Sequence, residues 1–461
     1  MRGLYTSFID HLIEPTYDLL KGTTRHKFRK ELRKTQWLTR IEIEEIQCRN
    51  LRAIIKHAYN TVPYYHRLFN ELRINPDDIR GAEDLHKLPI LRKQDINQHF
   101  NDLISTTIPK RQLVPYQSGG SGDPIRFLIT KKKMSWEIAA EYRAYEWAGY
   151  QLGDPCFLLW GSSIDDSDRG LFKRISKRVE RIVTCDAWLL SDDALAGFTA
   201  KAVKFRPEIV RGYANAVFMF AKYCQENHVM GIRPRAIITS AEKLTDPRRR
   251  AIEDTFGAKV FDHYGSREVG AIASECEEHN GYHISAENVV VEFTRDGETT
   301  SPGEEGAIMV TSLRNYGMPF LRYQIGDVGK ASNDLCPCGR GLPMMASIEG
   351  RLSDFLSIYD RKSGKIVPYM VGAPGFVGAI FMHVPVDSYR VIQESLDRVR
   401  IQVVKGRSYS EKDTEFVKNS VRKFLGDNCE VEFEFMDNIP PLKSGKRSTF
   451  TSKIDPWGSE G

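Results

Sequence analysis

No stretch of the chain comes near the roughly 20 consecutive apolar residues that a membrane-spanning helix needs. Its first residues also lack the charged start, apolar core and small-residue cleavage site of a secretory leader. These two absences lead to the expectation of a soluble, cytoplasmic protein. Cysteine is scarce, 8 in 461 residues, and without a leader that number does not read as a disulfide framework. The net charge of +5 gives no electrostatic reason to expect nucleic acid as a partner. Repeats and low-complexity tracts are missing too. What remains, 41% hydrophobic and 28% charged, can bury a core, and the length suits a large domain with a smaller one.

The positive charge is uneven. Lys21, Arg25, Lys27, Arg29, Lys30, Arg33 and Lys34 follow the amphipathic stretch from Leu4 to Leu20. Such a segment could lie on an anionic membrane surface, giving peripheral contact through a basic N-terminus. The simpler expectation is a helix packed on its own domain with a solvated basic face.

Residues 1–110 read as mostly helical: Leu51, Ile54, Ile55 and Ala58 recur at helical spacing before a turn at Val62-Pro63. From Asp154 to about Tyr264 short apolar runs alternate with helical patterns, the rhythm of parallel βαβ units. One helix is well punctuated, with Thr245-Asp246-Pro247 at its start and Gly257 at its end. Short strands with turn signals from Val289 to Leu321 suggest an antiparallel subdomain. Past Arg351 a small α+β domain is expected, with strands near Ile380–Val384, Val399–Val404 and Glu430–Glu434 and a helix over Glu411–Leu425. The expected fold is therefore α/β: residues 1–110 and 111–350 make a large domain, and 351–461 a small one.

Four polar clusters stand out. Ser118-Gly119-Gly120-Ser121-Gly122-Asp123-Pro124 frees the backbone to wrap phosphate oxygens with successive N–H groups. It is not a Walker loop, since no Gly-Lys-Ser/Thr closes it, and a glycine-rich hairpin turn explains it as well. Ser240-Ala241-Glu242 and Asp262-His263-Tyr264-Gly265-Ser266-Arg267-Glu268 end successive strands, and Arg322-Tyr323-Gln324-Ile325-Gly326-Asp327 closes the antiparallel part. In open α/β sheets ligands sit outside the carboxyl ends of parallel strands, so a nucleotide is expected there.

In this order, with Gly350-Arg351 and a lysine near the end of the sequence, these elements resemble the phenylacetate-CoA ligase family of adenylate-forming enzymes, including its branch associated with capsular polysaccharide synthesis. The resemblance runs over nearly the whole chain. It implies a large adenylate-forming domain whose AMP-binding core is 111–350, and a mobile domain 351–461. It implies that Ser118 to Gly122 cradle ATP phosphates, and that Ser240, Ala241, Glu242, Asp262, His263, Tyr264 and Gly265 border the adenine. Glu268 would hold Mg²⁺, Asp327 would take the ribose hydroxyls and Arg351 would approach a phosphate. Ile439-Pro440-Pro441-Leu442-Lys443-Ser444-Gly445-Lys446-Arg447 resembles the family's terminal lysine loop, making Lys446 the cation of the adenylation step, with Lys443 as rival. Tyr213, Ala214 and Ala241 would line the acyl pocket, by analogy of position. The family usually has lysine where Asp123 stands, and an anion there forgoes what a cation would supply.

The activity implied is ATP-dependent activation of a carboxylic acid and transfer to a thiol, coenzyme A, or to an amine or sugar. A homodimer is left open. Apart from the resemblance, Cys276, His283, Cys336 and Cys338, with His279 as an alternative imidazole, suit a structural zinc site. A zinc-ribbon binding protein without catalysis is the rival of another class.

Overall fold

A computed structural model describes residues 2–118, 125–161, 178–187, 190–295, 297–351, 355–360, 365–370, 376–440 and 449–454. The helical beginning consists of α1 (Arg2–Phe8), which runs through a π-helical turn (Ile9–Ile13) into α2 (Glu14–Lys21), then α3 (Arg25–Thr35), α4 (Arg40–Thr61), α5 (Pro63–Leu72) and α6 (Lys93–Gln98). Thr39 and Glu42 form a reciprocal capping box at the start of α4. The chain turns where Val62 leaves the helical region and Pro63 opens α5.

Strands β1 (Leu113–Gln117) and β2 (Arg126–Thr130) pair antiparallel, and α7 (Lys131–Trp147) follows, capped by Thr130, whose hydroxyl accepts from the Lys133 N–H. Next come β3 (Cys156–Leu159), β4 (Ile182–Cys185), α8 (Asp192–Phe205), β5 (Ile209–Tyr213), α9 (Ala214–Glu226), β6 (Ala236–Ser240), α10 (Asp246–Phe256) and β7 (Lys259–Ser266). The antiparallel strands are β8 (Gly270–Ser274), β9 (Tyr282–Ile284), β10 (Val289–Arg295), β11 (Glu298–Thr299), β12 (Glu305–Ser312), β13 (Tyr323–Ser332) and β14 (Met344–Arg351).

Strands β3 to β14 form one sheet in the order β11-β10-β12-β13-β14-β9-β8-β7-β6-β5-β3-β4. Its β4-β3-β5-β6-β7 end is parallel; from the β7–β8 pair onward pairing is antiparallel. The antiparallel part is thus continuous with the βαβ part through hydrogen bonds, and the carboxyl end of β7 lies at the seam between them. Alternation along the strands sorts the faces. Val210, Ile237 and Val260 pack under α8, α9 and α10, whereas Ile209, Ala236 and Ile238 pack with Tyr145 and Ala148 on the α7 side.

The last part contains β15 (Phe355–Asp360) paired with β16 (Lys365–Met370), α11 (Phe376–Phe381), and a four-stranded sheet of β17 (Val386–Ser395), β18 (Arg398–Lys405), β19 (Glu430–Phe435) and β20 (Phe450–Ser452), with α12 (Glu411–Leu425) on it. The expected strand at Ile380–Val384 is not formed: Ile380 and Phe381 end α11, and a turn follows. Val377, Ile380, Phe381 and Val384 are spaced i, i+3, i+4, i+7, a helical face, and all four enter the small core with Val391, Ile401 and Val421.

Candidate active site

The seam between the two halves of the sheet gathers most of the expected site. The Tyr264 hydroxyl, from β7, donates to Asp327 Oδ2 on β13 at 2.8 Å. Asp327 faces Arg351 across the β13–β14 ladder, with Arg351 Nε 3.7 Å from Asp327 Oδ1. On the turn after β7, Glu268 is buried, and one of its oxygens accepts a long hydrogen bond from the Tyr323 hydroxyl at 3.4 Å. A buried carboxylate held this loosely suits a hard cation; Glu268 thus fits Mg²⁺. Ala241, at the end of β6, has a positive φ of 69°, a conformation costly for a residue with a Cβ.

Several expected residues prove to be structurally committed. The Glu242 carboxylate accepts from the Asn215 N–H at 2.9 Å, capping the first turn of α9. Asp262 is buried inside the sheet, accepting from the Thr239 hydroxyl at 2.7 Å and the Tyr282 hydroxyl at 3.0 Å. Its backbone is tied down as well, the N–H donating to Glu275 Oε2 at 2.8 Å and the carbonyl accepting from the Glu275 N–H at 3.0 Å. Burial and the nearby Glu275 push Asp262 up to about 7, partly offset by those hydroxyls and Arg249. His263 bonds Ser274 Oγ through Nδ1 at 2.7 Å; burial, then Arg211, holds it down to about 4, so its ring is neutral. Gly265 packs against the β8 backbone, where a Cβ would meet Gly270 O at 2.7 Å.

Ser118 closes the base of its loop: its N–H donates to Ile125 O at 2.9 Å and its hydroxyl accepts from the Ile125 N–H at 3.0 Å. The flanking strands are a hairpin; Gly119 to Gly122 and Asp123 lie outside the described residues, as do Lys443 and Lys446. Tyr213 stacks near Trp160, with ring centroids 4.3 Å apart, and donates to Gly161 O at 2.9 Å; Ala214 is buried at the start of α9.

One feature of the site was not anticipated from the sequence. Lys133, Glu137 and Glu141 follow one another at i, i+4, i+8 along α7, on the side that meets the sheet. Lys133 is buried and ion-paired to Glu137. Glu137 abuts Gly270, where a Cβ would fall 2.4 Å from Glu137 Cγ, two residues beyond Glu268. Glu141 makes no hydrogen bond or salt bridge among the described residues, and burial raises it to about 7, offset in part by Arg211. Arg211 lies on β5 two residues before Tyr213 and rests 4.0 Å from the Tyr145 ring centroid. The i+4 spacing of three ionisable residues on a helix that must pack inward was the available signal.

Cys276, His283, Cys336 and Cys338 converge with their ligand atoms within 4.8 Å of one another. Cys276 Sγ and Cys336 Sγ are 3.6 Å apart, and Cys338 Sγ and His283 Nε2 3.3 Å. Zinc bonds of about 2.0–2.3 Å at tetrahedral angles need ligand separations of roughly 3.3–3.8 Å, so the set fits zinc. His279 is elsewhere, its ring 4.6 Å from Phe261 and its Nδ1 3.6 Å from Glu275.

Comparison with known proteins gives the same outline. Residues 373–453 match the CapK C-terminal domain. The phenylacetate-coenzyme A ligase of Thermus thermophilus is 26% identical over 340 residues, 70% of this chain and 73% of that protein. Protein CapK of Staphylococcus aureus is 24% identical over 412 residues, 88% of each. The chain is thus similar to phenylacetate-CoA ligases over about 70% of its length. Its fold matches a solved 2-hydroxyisobutyryl-CoA ligase in the postadenylation state, with a TM-score of 0.64, 18% identity and 90% of both chains covered. The fold is thus that of adenylate-forming ligases. No helix among the described residues is long and apolar enough to cross a membrane.

Proposed function

We propose that the chain is an ATP-dependent acyl-CoA ligase: a substrate carboxylate oxygen attacks the α-phosphorus of ATP, pyrophosphate leaves, and a thiol then attacks the acyl carbon and expels AMP. The supporting observation is the convergence of Glu268, Tyr264, Asp327 and Arg351 at the seam beyond the parallel strands. In this reading Asp327 takes the ribose hydroxyls and Arg351 and Lys446 neutralise phosphate charge. A unit charge at about 4 Å is worth about 1 kcal/mol in water but about 4 kcal/mol in a partly desolvated site. Mg²⁺, held by Glu268 and phosphate oxygens, would supply charge neutralisation. Zinc at the cysteine cluster would be held by Cys276, His283, Cys336 and Cys338 and would tie the Cys276–His283 segment to Cys336 and Cys338, a structural rather than a catalytic contribution. A reaction that uses ATP and coenzyme A would suit the cytoplasm, and the free cysteines among the described residues support that location.

The acid itself carries a hydrogen-bonding or charged substituent. Glu141 lies on α7, and Arg211 on β5 rests 4.0 Å from the ring centroid of Tyr145 on the same helix, while Glu141 makes no hydrogen bond or salt bridge among the described residues. An unsubstituted apolar acid would offer the Glu141 carboxyl no hydrogen-bonding group, so the preference would be for an acid that does. The acceptor is assigned as coenzyme A on the strength of the ligase relatives. An amine or sugar is the second reading, which rests on the resemblance to the branch associated with capsular polysaccharide synthesis.

The test is incubation with Mg-ATP and a panel of aryl, alkyl, hydroxy and amino acids, with hydroxylamine to trap acyl-adenylates and then with coenzyme A or amines as acceptors. Hydroxamate and thioester formation is expected; hydroxamate with amide but no thioester would move the acceptor to an amine. No hydroxamate with any acid from folded, metal-replete protein would overturn the reading. Metal analysis should find about one zinc per chain.

A further inference from the structure

The acidic and apolar sides of α1 and α2 are turned the opposite way from what a packed surface helix requires. Asp10, Glu14 and Asp18 point inward and are buried. They meet a matching row on α3: Arg29 and Arg33 pair with Asp10, and Arg25 with Glu14 at 3.3 Å and Asp18 at 3.6 Å. The inner side is completed by Ile9, buried in the core, and by Tyr5, whose hydroxyl donates to Val179 O at 2.6 Å. Nothing in the fold then calls for the outer side to be apolar. Yet Leu4, Phe8 and Leu12, at i, i+4, i+8, are 79%, 48% and 54% exposed, and Leu19 and Leu20 are 84% and 76% exposed. Half of the large apolar side chains exposed among the described residues belong to the first 41 positions. A concentration of this kind marks an interaction surface.

Charge selects the occupant. All three acids of α1 and α2 with the turn between them are buried and arginine-paired, so this outer face carries no anion. Beside it, α3 exposes Lys27, Lys30 and Lys34, none of them ion-paired among the described residues, against a single exposed acid, Glu31. Exposed Trp37 and Ile41 continue the apolar side chains past α3. Leucines and an aromatic on one face with lysines at the flank are the arrangement by which a helix lies in the interface of an anionic bilayer. A protein groove would not need the lysines, and a second copy of this chain would bring its own lysines against them.

We propose that α1, α2 and the outer face of α3 dock this protein onto an anionic membrane surface, with Leu4, Phe8, Leu12, Leu19 and Leu20 entering the headgroup boundary. The docking is peripheral and does not depend on the ligase reading. It would hold the enzyme beside substrates or acceptors carried on lipid.

The test is co-sedimentation of the full chain with vesicles of phosphatidylcholine alone and of phosphatidylcholine with phosphatidylglycerol, alongside sedimentation velocity without lipid. Binding is expected to the anionic vesicles, falling as salt is raised. Leu4→Ser with Phe8→Ser and Leu12→Ser should weaken it by about a hundredfold. Lys27→Glu with Lys30→Glu and Lys34→Glu should weaken it by more than about tenfold. No binding of the unaltered chain to anionic vesicles at low salt would overturn the proposal. So would equal binding to neutral vesicles, or serine substitutions that dissolve a dimer and leave vesicle binding unchanged.

Discussion

Two helices of this protein carry ionisable residues at i, i+4, i+8 on their inner faces, and they meet opposite fates. Along α2 and the turn before it, Asp10, Glu14 and Asp18 each find an arginine of α3. Along α7, Lys133 and Glu137 satisfy each other, and Glu141 is left over. At Asp10 burial would raise the carboxyl, but bonds and charge from Arg33 and Arg29 outweigh it and hold it below the usual carboxylate range. At Glu141 burial wins, because Arg211 acts only from a distance. The difference separates charges that hold the fold together from a charge that, in the proposed reading, meets the substrate. Asp262 is a third case, satisfied by two hydroxyls yet next to Glu275 and pushed up to about 7.

The comparison breaks most visibly at Arg29. Arg29→Met removes one partner of a buried pair and should cost about 3–5 kcal/mol in urea unfolding near neutral pH. Asp10 has a lowered value, so its contribution is present above the usual carboxylate range and lost as pH falls through the folded value; the deficit should shrink in acid. Asp262 tests the sign in the other direction. Its raised value means that the folded chain keeps a proton the unfolded chain releases between about pH 4 and about 7, so stability from this group falls as pH rises through that window. Asp262→Asn should flatten the pH dependence of the melting temperature there, and a steeper dependence would refute the assignment.

A smaller effect is expected at Glu141. Glu141→Gln should not lower the melting temperature, since burial already disfavours the ionised carboxyl, while shifting kcat/KM between polar and apolar acids by about tenfold, or about 1.4 kcal/mol. If instead Glu141→Gln lowers stability as Arg29→Met does, the two helices are alike and the distinction falls. Smallest of all, Thr130→Ala, which removes the α7 cap, should cost about 1 kcal/mol without altering acid preference.

Much of this was legible in the sequence, and what was not has physical causes. The βαβ rhythm and the punctuation of α10 were visible because apolar runs and caps are local. The strand expected near Ile380–Val384 is instead the end of the helix Phe376–Phe381 and a turn, because the apolar residues from Val377 to Val384 fit either period until the spacing is counted. Glu242 as a cap for α9 could not be read, since its partner Asn215 is 27 residues away. The orientation of α1 and α2 was missed because amphipathicity shows two faces without saying which is inside. The rows Asp10, Glu14, Asp18 and Arg25, Arg29, Arg33, with equal spacing, held that answer. The cysteine cluster was readable from residue type alone, because thiolates and imidazole have few other reasons to gather.

The most direct test is acid-dependent exchange of labelled pyrophosphate into ATP, in the unaltered chain and in Lys446→Ala and Glu268→Gln. Exchange that requires both an acid and Mg²⁺, and that drops by about 10²–10³ in either variant while the folded state persists, is the predicted result. Exchange that ignores the acid, or that neither substitution slows, would contradict adenylation at this seam.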